Sequence, residues 1–312
     1  MTDQTPRLDG KSWPLLLGLA VLWSASFIFI KLAAEIPILT LVLIRVGLAA
    51  LVLHAIVLVS RRVYPKRPAE LARYALMGLI NNILPFALIV YATPRIGAGA
   101  ASILNATAPI FALLVAHAAT ADEKITPAKF FGIVLGLGGV AAIAGPAALS
   151  GLTRDVLPIA AMLAATFFYG VSAVLGRTFR GTDPIVSATC QLTASTLLLA
   201  PVALLVERPW LLPMPGAAAI AASIALALFS TALAYVLYYA LISRAGGTNT
   251  VLVTLLIPVG GTGLAWLTLG EAVGWAELAG MFLIGLGLVV IDGRTLRRLL
   301  EPAPEIRPRS AR

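Results

Sequence analysis

Apolar residues fill this chain in long blocks, and short polar stretches between them carry nearly all the charge. Ten blocks stand out: 13–33, 36–59, 72–94, 97–119, 128–146, 157–177, 184–206, 216–242, 247–269 and 276–293. At a helical rise of 1.5 Å per residue, each is long enough to cross about 30 Å of hydrocarbon. The pattern therefore predicts an all-α integral membrane protein of ten transmembrane helices. The first block follows Arg7 and Lys11 and contains Ser24-Ala25-Ser26, which resembles a leader-cleavage site. It continues to Ile30, longer than a typical leader core, and reads as an uncleaved first span.

The stretch from Asn81 to Pro109 departs most from the apolar pattern. It carries Asn81, Asn82 and Asn105, prolines at 85 and 109, and the glycines Gly97 and Gly99. Amides left unpaired in hydrocarbon cost several kcal/mol, so these side chains must face protein or a wet cavity.

The chain also repeats itself. Glu123, Gly132, Gly139 and Gly145 recur as Glu271, Gly280, Gly287 and Gly293, each 148 residues later. Tyr91 recurs as Tyr239 at the same offset, and Pro109 as Pro258, one residue further on. Trp23 and Lys31 are echoed by Tyr169 and Arg177, and Arg45 by Gln191. Two five-helix halves follow. Five is odd, so the second half enters the membrane from the opposite side, giving two inverted repeats with a site expected at the midplane between them. The expected divisions are an N-terminal tail (1–12), a first repeat (13–146), a second repeat (157–293) and a basic tail (294–312).

Charge sets the expected orientation. Most of the 23 Lys and Arg fall on one side of the ten blocks; the other side holds Lys31, Arg95, Arg154 and Arg208. By the positive-inside rule both termini are cytoplasmic. The composition, 60% hydrophobic and 12% charged with mean hydropathy +0.96, leaves no soluble domain. The net charge of +9 is scattered through short loops, which argues against a nucleic-acid partner. The single Cys190 supports neither a disulfide framework nor a metal cluster, and no cofactor is expected. The expected partners are the lipid bilayer and a small-molecule substrate; oligomeric state is open.

Each half carries a mid-membrane proline, then a loop Glu 13–14 residues later, then a Gly-rich span. The segments are PIFALLVAHAATADEKITPAKFFGIVLGLGG and PVGGTGLAWLTLGEAVGWAELAGMFLIGLG. Over residues 13–293 the chain resembles the EamA-type family of the drug/metabolite transporter superfamily. The resemblance implies an inner-membrane transporter of a small polar metabolite, an amino acid or related compound, exported by alternating access. It also marks Arg45 as a position where this family commonly carries arginine, from which Gln191 departs in the second half.

Halving each block puts polar or helix-weakening residues at the bilayer centre in both halves. The candidate substrate contacts are Trp23, Ser26, Asn81, Asn82, Asn105, Thr107, Phe168, Tyr169, Ser172, Ser230, Thr231, Tyr235 and Thr254. Each amide alone reads equally as interhelical glue; as a set at one depth they read as a cavity. Pro85, Pro109 and Pro258 are candidate hinges, or static kinks. Arg45 is an intramembrane charge, either functional or snorkelling outward, and Lys31 reads as a snorkelling end residue. Tyr238 and Tyr239 read as an interfacial belt or a gate. Glu123 and Glu271 are gate partners on opposite faces, or carboxylates stabilising helix N-termini. The glycines of the fifth and tenth spans suit close packing, within the fold or across a dimer. With no carboxylate at any span centre, uniport or exchange is expected rather than proton coupling.

Two rival classes remain. An integral-membrane enzyme would use the H-x4-D spacing of His117 and Asp122, found in some acyltransferases; its repeat position is Trp266, so symmetry gives it no support, and the chain reads as a non-enzyme. A channel-like facilitator would share the cavity without the two-sided gating.

Overall fold

A computed structural model describes residues 10, 12–65, 67–121, 124–144, 156–179, 181–250 and 252–292. Among them the chain is helical throughout, without strands. Eight helices are long and apolar enough to cross a membrane: α1 (Ser12–Leu32), α2 (Ile38–Val59), α3 (Pro68–Ile96), α4 (Ala98–Ala119), α5 (Pro127–Ala144), α6 (Val156–Phe179), α7 (Pro184–Leu211) and α8 (Ala217–Gly246). Two shorter apolar helices follow, α9 (Val253–Leu269) and α10 (Trp275–Asp292). Helices α3, α5 and α7 open on proline, whose preset φ suits a first turn and whose missing N–H is lost there without cost. The ninth apolar block, expected to run unbroken from 247, instead has its main helix start at Val253 with Leu252 as N-cap.

The two halves mirror each other at the level of backbone irregularities. Helices α3 and α8 each contain a π-helical turn, Leu79–Ile83 and Leu228–Leu233, starting 149 residues apart. Each half then turns a corner at a glycine with positive φ, Gly97 (φ 89°, ψ 152°) and Gly246 (φ 78°, ψ 156°). Only glycine enters that region without strain, which explains the elbow foreseen at Gly97.

Packing follows the same exchange. A Cβ on Gly132 would meet the carbonyl of Gly287 at 2.6 Å, and one on Gly139 that of Gly280 at 2.8 Å. Gly280 and Gly287 are the repeat mates of Gly132 and Gly139, so the two contacts are images of each other, and α5 runs antiparallel to α10. The small faces of these helices are thus used inside the chain, which answers whether they serve fold or dimer contact. Their other faces present Phe130, Phe131 and Phe282 outward; such exposure suits lipid and would be anomalous in water.

Helices α2 and α7, also repeat mates, are antiparallel and joined at both ends. Glu207 at the end of α7 accepts hydrogen bonds from the backbone N–H of Leu39 (2.8 Å) and Thr40 (2.7 Å) at the start of α2. At the opposite end Asp183 caps α7 through Ile185 N and Val186 N and pairs with Arg62 at 2.6 Å. Burial pushes the Asp183 carboxyl up, but the hydrogen bond from Arg62 and the helix N–H groups hold it below the ordinary carboxylate range.

Candidate functional site

The two π turns set the site's geometry. A π turn widens the helix by one residue and re-aims the side chains next to it, and such turns recur at functional sites. In α3 the cause is local: Pro85 has no N–H to offer the carbonyl of Asn81. In α8 the Thr231 hydroxyl takes up the slack by donating to the Leu226 carbonyl (3.0 Å). The turns present Asn81 and Asn82 from one half and Ser230 and Thr231 from the other.

Between them lies a cavity of about 640 Å³, within the usual range for small-molecule sites. Its lining includes Trp23, Ser26, Asn105 and Thr254, and extends to Phe179 and the exposed Thr182 and Pro184 at the α6–α7 link. Ser172 donates to Asn81 Oδ1 (2.8 Å), and the Tyr235 hydroxyl donates to Asn82 Oδ1 (3.2 Å). Asn82 Nδ2 donates to Ser195 Oγ (3.1 Å), which itself donates to the Gln191 carbonyl (2.8 Å). These bonds tie α3, α6, α7 and α8 around the cavity wall. Ser24 and Ser230 tie α1 to the second half through the carbonyls of Ile257 (3.1 Å) and Leu22 (2.6 Å) respectively.

Arg45 points into this wall rather than outward. It is 6% exposed, donates from Nε to Thr231 Oγ1 (3.0 Å), and lays its guanidinium over the Phe86 ring, 3.6 Å from the centroid. The opposite end of the bundle is closed. There Glu271, in the link before α10, accepts from the backbone N–H of Ala98 (3.0 Å) and Gly99 (3.1 Å) and pairs with Lys31. Burial pushes the Glu271 carboxyl up, but these hydrogen bonds hold it below the ordinary carboxylate range. Lys31, expected to snorkel, instead finds this partner 240 residues away.

The sequence profile of the EamA-like transporter family matches residues 11–145 and again 156–292. The chain belongs to the EamA-like transporter family. This makes it a multi-pass membrane transporter with two EamA repeats. Among curated relatives, it is 27% identical to a probable terminal-alkyne amino-acid exporter of Streptantibioticus cattleyicolor, over 95% of this chain and 97% of that protein. It is 23% identical to the uncharacterized transporter YoaV of Bacillus subtilis, over 88% and 94%, and 23% to an uncharacterized transporter of Archaeoglobus fulgidus, over 90% and 98%. A solved crystal structure sharing 21% identity superimposes with a TM-score of 0.66, covering 94% of this chain and all of that one; this likeness concerns the fold alone.

Within this EamA-like fold, eleven of the residues picked from sequence surround the cavity: Trp23, Ser26, Arg45, Asn81, Asn105, Tyr169, Ser172, Ser230, Thr231, Tyr235 and Thr254. Asn82 and Thr107 are fully buried behind the wall, the latter bonded to the Leu104 carbonyl (2.7 Å) and to Thr166 (3.1 Å). Phe168 packs on Phe167, away from the lining. Of the three prolines, Pro258 lies inside α9, whereas Pro109 sits in a first turn, just after a break in α4 at Ala106–Thr107. Pro109 has no N–H for the carbonyl of Asn105, so the expected kink is a full interruption of the helix.

The lining also contains Gln191, Ser187, Tyr238 and Tyr239. Gln191 was visible only as the echo of Arg45. Tyr238 and Tyr239 follow Tyr235 at i+3 and i+4 and so share its face, a signal obscured by their nearness to the end of an apolar block. His117 Nδ1 accepts from Ile125 N (3.2 Å), holding the link after α4. Glu123 and Asp122 lie outside the described residues.

Proposed function

We propose that the chain is a ten-span inner-membrane carrier with cytoplasmic termini, moving a small polar metabolite by alternating access between its two halves. The observation that carries this reading is a cavity between repeat halves, open at the α6–α7 link and closed at the other end by Glu271 on Lys31 and α4. With the charge-based orientation, the open end is cytoplasmic. A relative named as an amino-acid exporter supports outward movement of an amino acid or related compound. The spans carry no central carboxylate, which favours uniport or exchange over proton coupling.

In proteoliposomes, uptake of labelled amino acids and their deaminated analogues should saturate, and unlabelled substrate inside should accelerate it. Flux that stays linear in concentration and indifferent to the trans side would indicate a channel and sink this reading.

A further inference from the structure

The cavity holds a fixed positive charge with no fixed negative one beside it. Four of the described carboxylates are engaged elsewhere: Glu271 with Lys31, Asp183 with Arg62, Glu207 with the start of α2, and Glu35 with Gly216 N; Glu70 and Glu277 lie outside the lining. None of the lining residues among those described is acidic. A guanidinium buried without a counter-ion is costly, and the fold's own contacts with Arg45 are modest: one hydrogen bond from Nε and the face of Phe86. Phe86 and Thr231 fix the plane of the group while both Nη atoms make no hydrogen bond among the described residues. A planar fork held this way matches a carboxylate bidentately.

The wall also carries a cluster of aromatic rings among its amides and hydroxyls. Tyr235 stacks with Tyr239 (centroids 6.1 Å) and Trp23 lies against Tyr238 (5.5 Å). The repeat position of Arg45 is the neutral Gln191, so a pseudo-symmetric cavity carries its charge on one side only.

Resting on the transporter reading, we infer that the substrate is an organic monocarboxylate whose carboxylate is held by Arg45 and whose apolar or aromatic body lies against the tyrosines, with no ammonium group required. A phosphate monoester would bring a second charge for which the wall has no second cation. The ammonium of a zwitterion would meet aromatic faces rather than a carboxylate, so Arg45 and not an acidic partner sets the selectivity.

The test is equilibrium binding to the purified full-length protein, read by tryptophan fluorescence. The probes are monocarboxylates from butyrate to phenylpropionate, together with phenylpropionamide, phenylethylamine and phenylalanine. Wild type should bind its best carboxylate at least about tenfold more tightly than the matching amide or amine. In Arg45→Met the carboxylate-to-amide ratio should collapse to about one. Arg45→Lys keeps the charge without the fork and should retain part of the ratio; it serves if the methionine variant fails to fold. A ratio near one in wild type, an unchanged ratio in both variants, preference for the amine, or no carboxylate binding would overturn the inference. Binding needs no flux, so carboxylate selectivity without trans-stimulation would count against the carrier reading alone, and saturable exchange of an amine against this inference alone.

Discussion

Glu271→Gln is expected to loosen the closed end and reduce exchange by about tenfold or more. The carboxylate accepts two backbone N–H groups at the start of α4 and pairs with Lys31. Ala98 N and Lys31 share Oε1, so the amide oxygen in that place keeps both, while Gly99 N faces the amide NH2 without an acceptor and the ammonium loses its counter-charge. Hydrogen bonds to charged groups contribute about 1.5–3 kcal/mol each. Losing one would move the ratio of closed to open conformers by roughly 10- to 100-fold, enough to starve a carrier that needs both states. Acid should mimic the substitution. The Glu271 carboxyl titrates below its ordinary range, so its contribution to closure is complete above the ordinary glutamate pKa of about 4.3. It is lost only as pH falls through the lowered value. Exchange measured between about pH 5 and 8 should therefore show no step from this group, and the glutamine variant should lack the acid step altogether.

Gly287→Ala is expected to cause the largest loss of stability from a single methyl group. The added Cβ would lie 2.5 Å from the carbonyl oxygen of Gly132 and 2.9 Å from Gly136 N. Both are backbone atoms, so no side chain can swing aside, and α5 and α10 must separate along their length. Forced overpacking of this kind costs about 1–3 kcal/mol and at times more. Gly138 and Gly285, on the same two helices, have nothing within 4 Å of a built Cβ. Alanine there should be neutral, or stabilising by up to about 1 kcal/mol through helix propensity. Thermal unfolding of the three variants in detergent measures the contrast; equal melting temperatures would contradict the packing account.

The apolar blocks and the repeat were legible because both are carried by residue type at long, regular intervals. A span must be about twenty residues long, and Glu271, Gly280 and Gly287 announce their mates by one offset. What stayed hidden depended on direction rather than type. Asn81 and Asn82 are neighbours, yet one lines the cavity and the other is sealed behind it, because successive helical side chains diverge by about 100° and the π turn shifts that count again. Lys31 was read from its place near a span end, which says nothing of a carboxylate 240 residues away. Thr107 looked like a cavity hydroxyl by depth, but the helix breaks there and the hydroxyl turns back to the Leu104 carbonyl.

Alternating access itself is tested most directly by two cysteines in a Cys190→Ser background. Ala173→Cys lies in the cavity lining on α6, at an exposed position. Ile30→Cys replaces a residue with no exposure, one turn beyond Ser26 toward Lys31. A membrane-impermeant maleimide should label Ala173→Cys quickly and Ile30→Cys hardly at all when Glu271 is intact. With Glu271→Gln the Ile30→Cys rate should rise while the Ala173→Cys rate falls. Rapid labelling of both positions in the same preparation, or rates that change independently, would contradict alternating access.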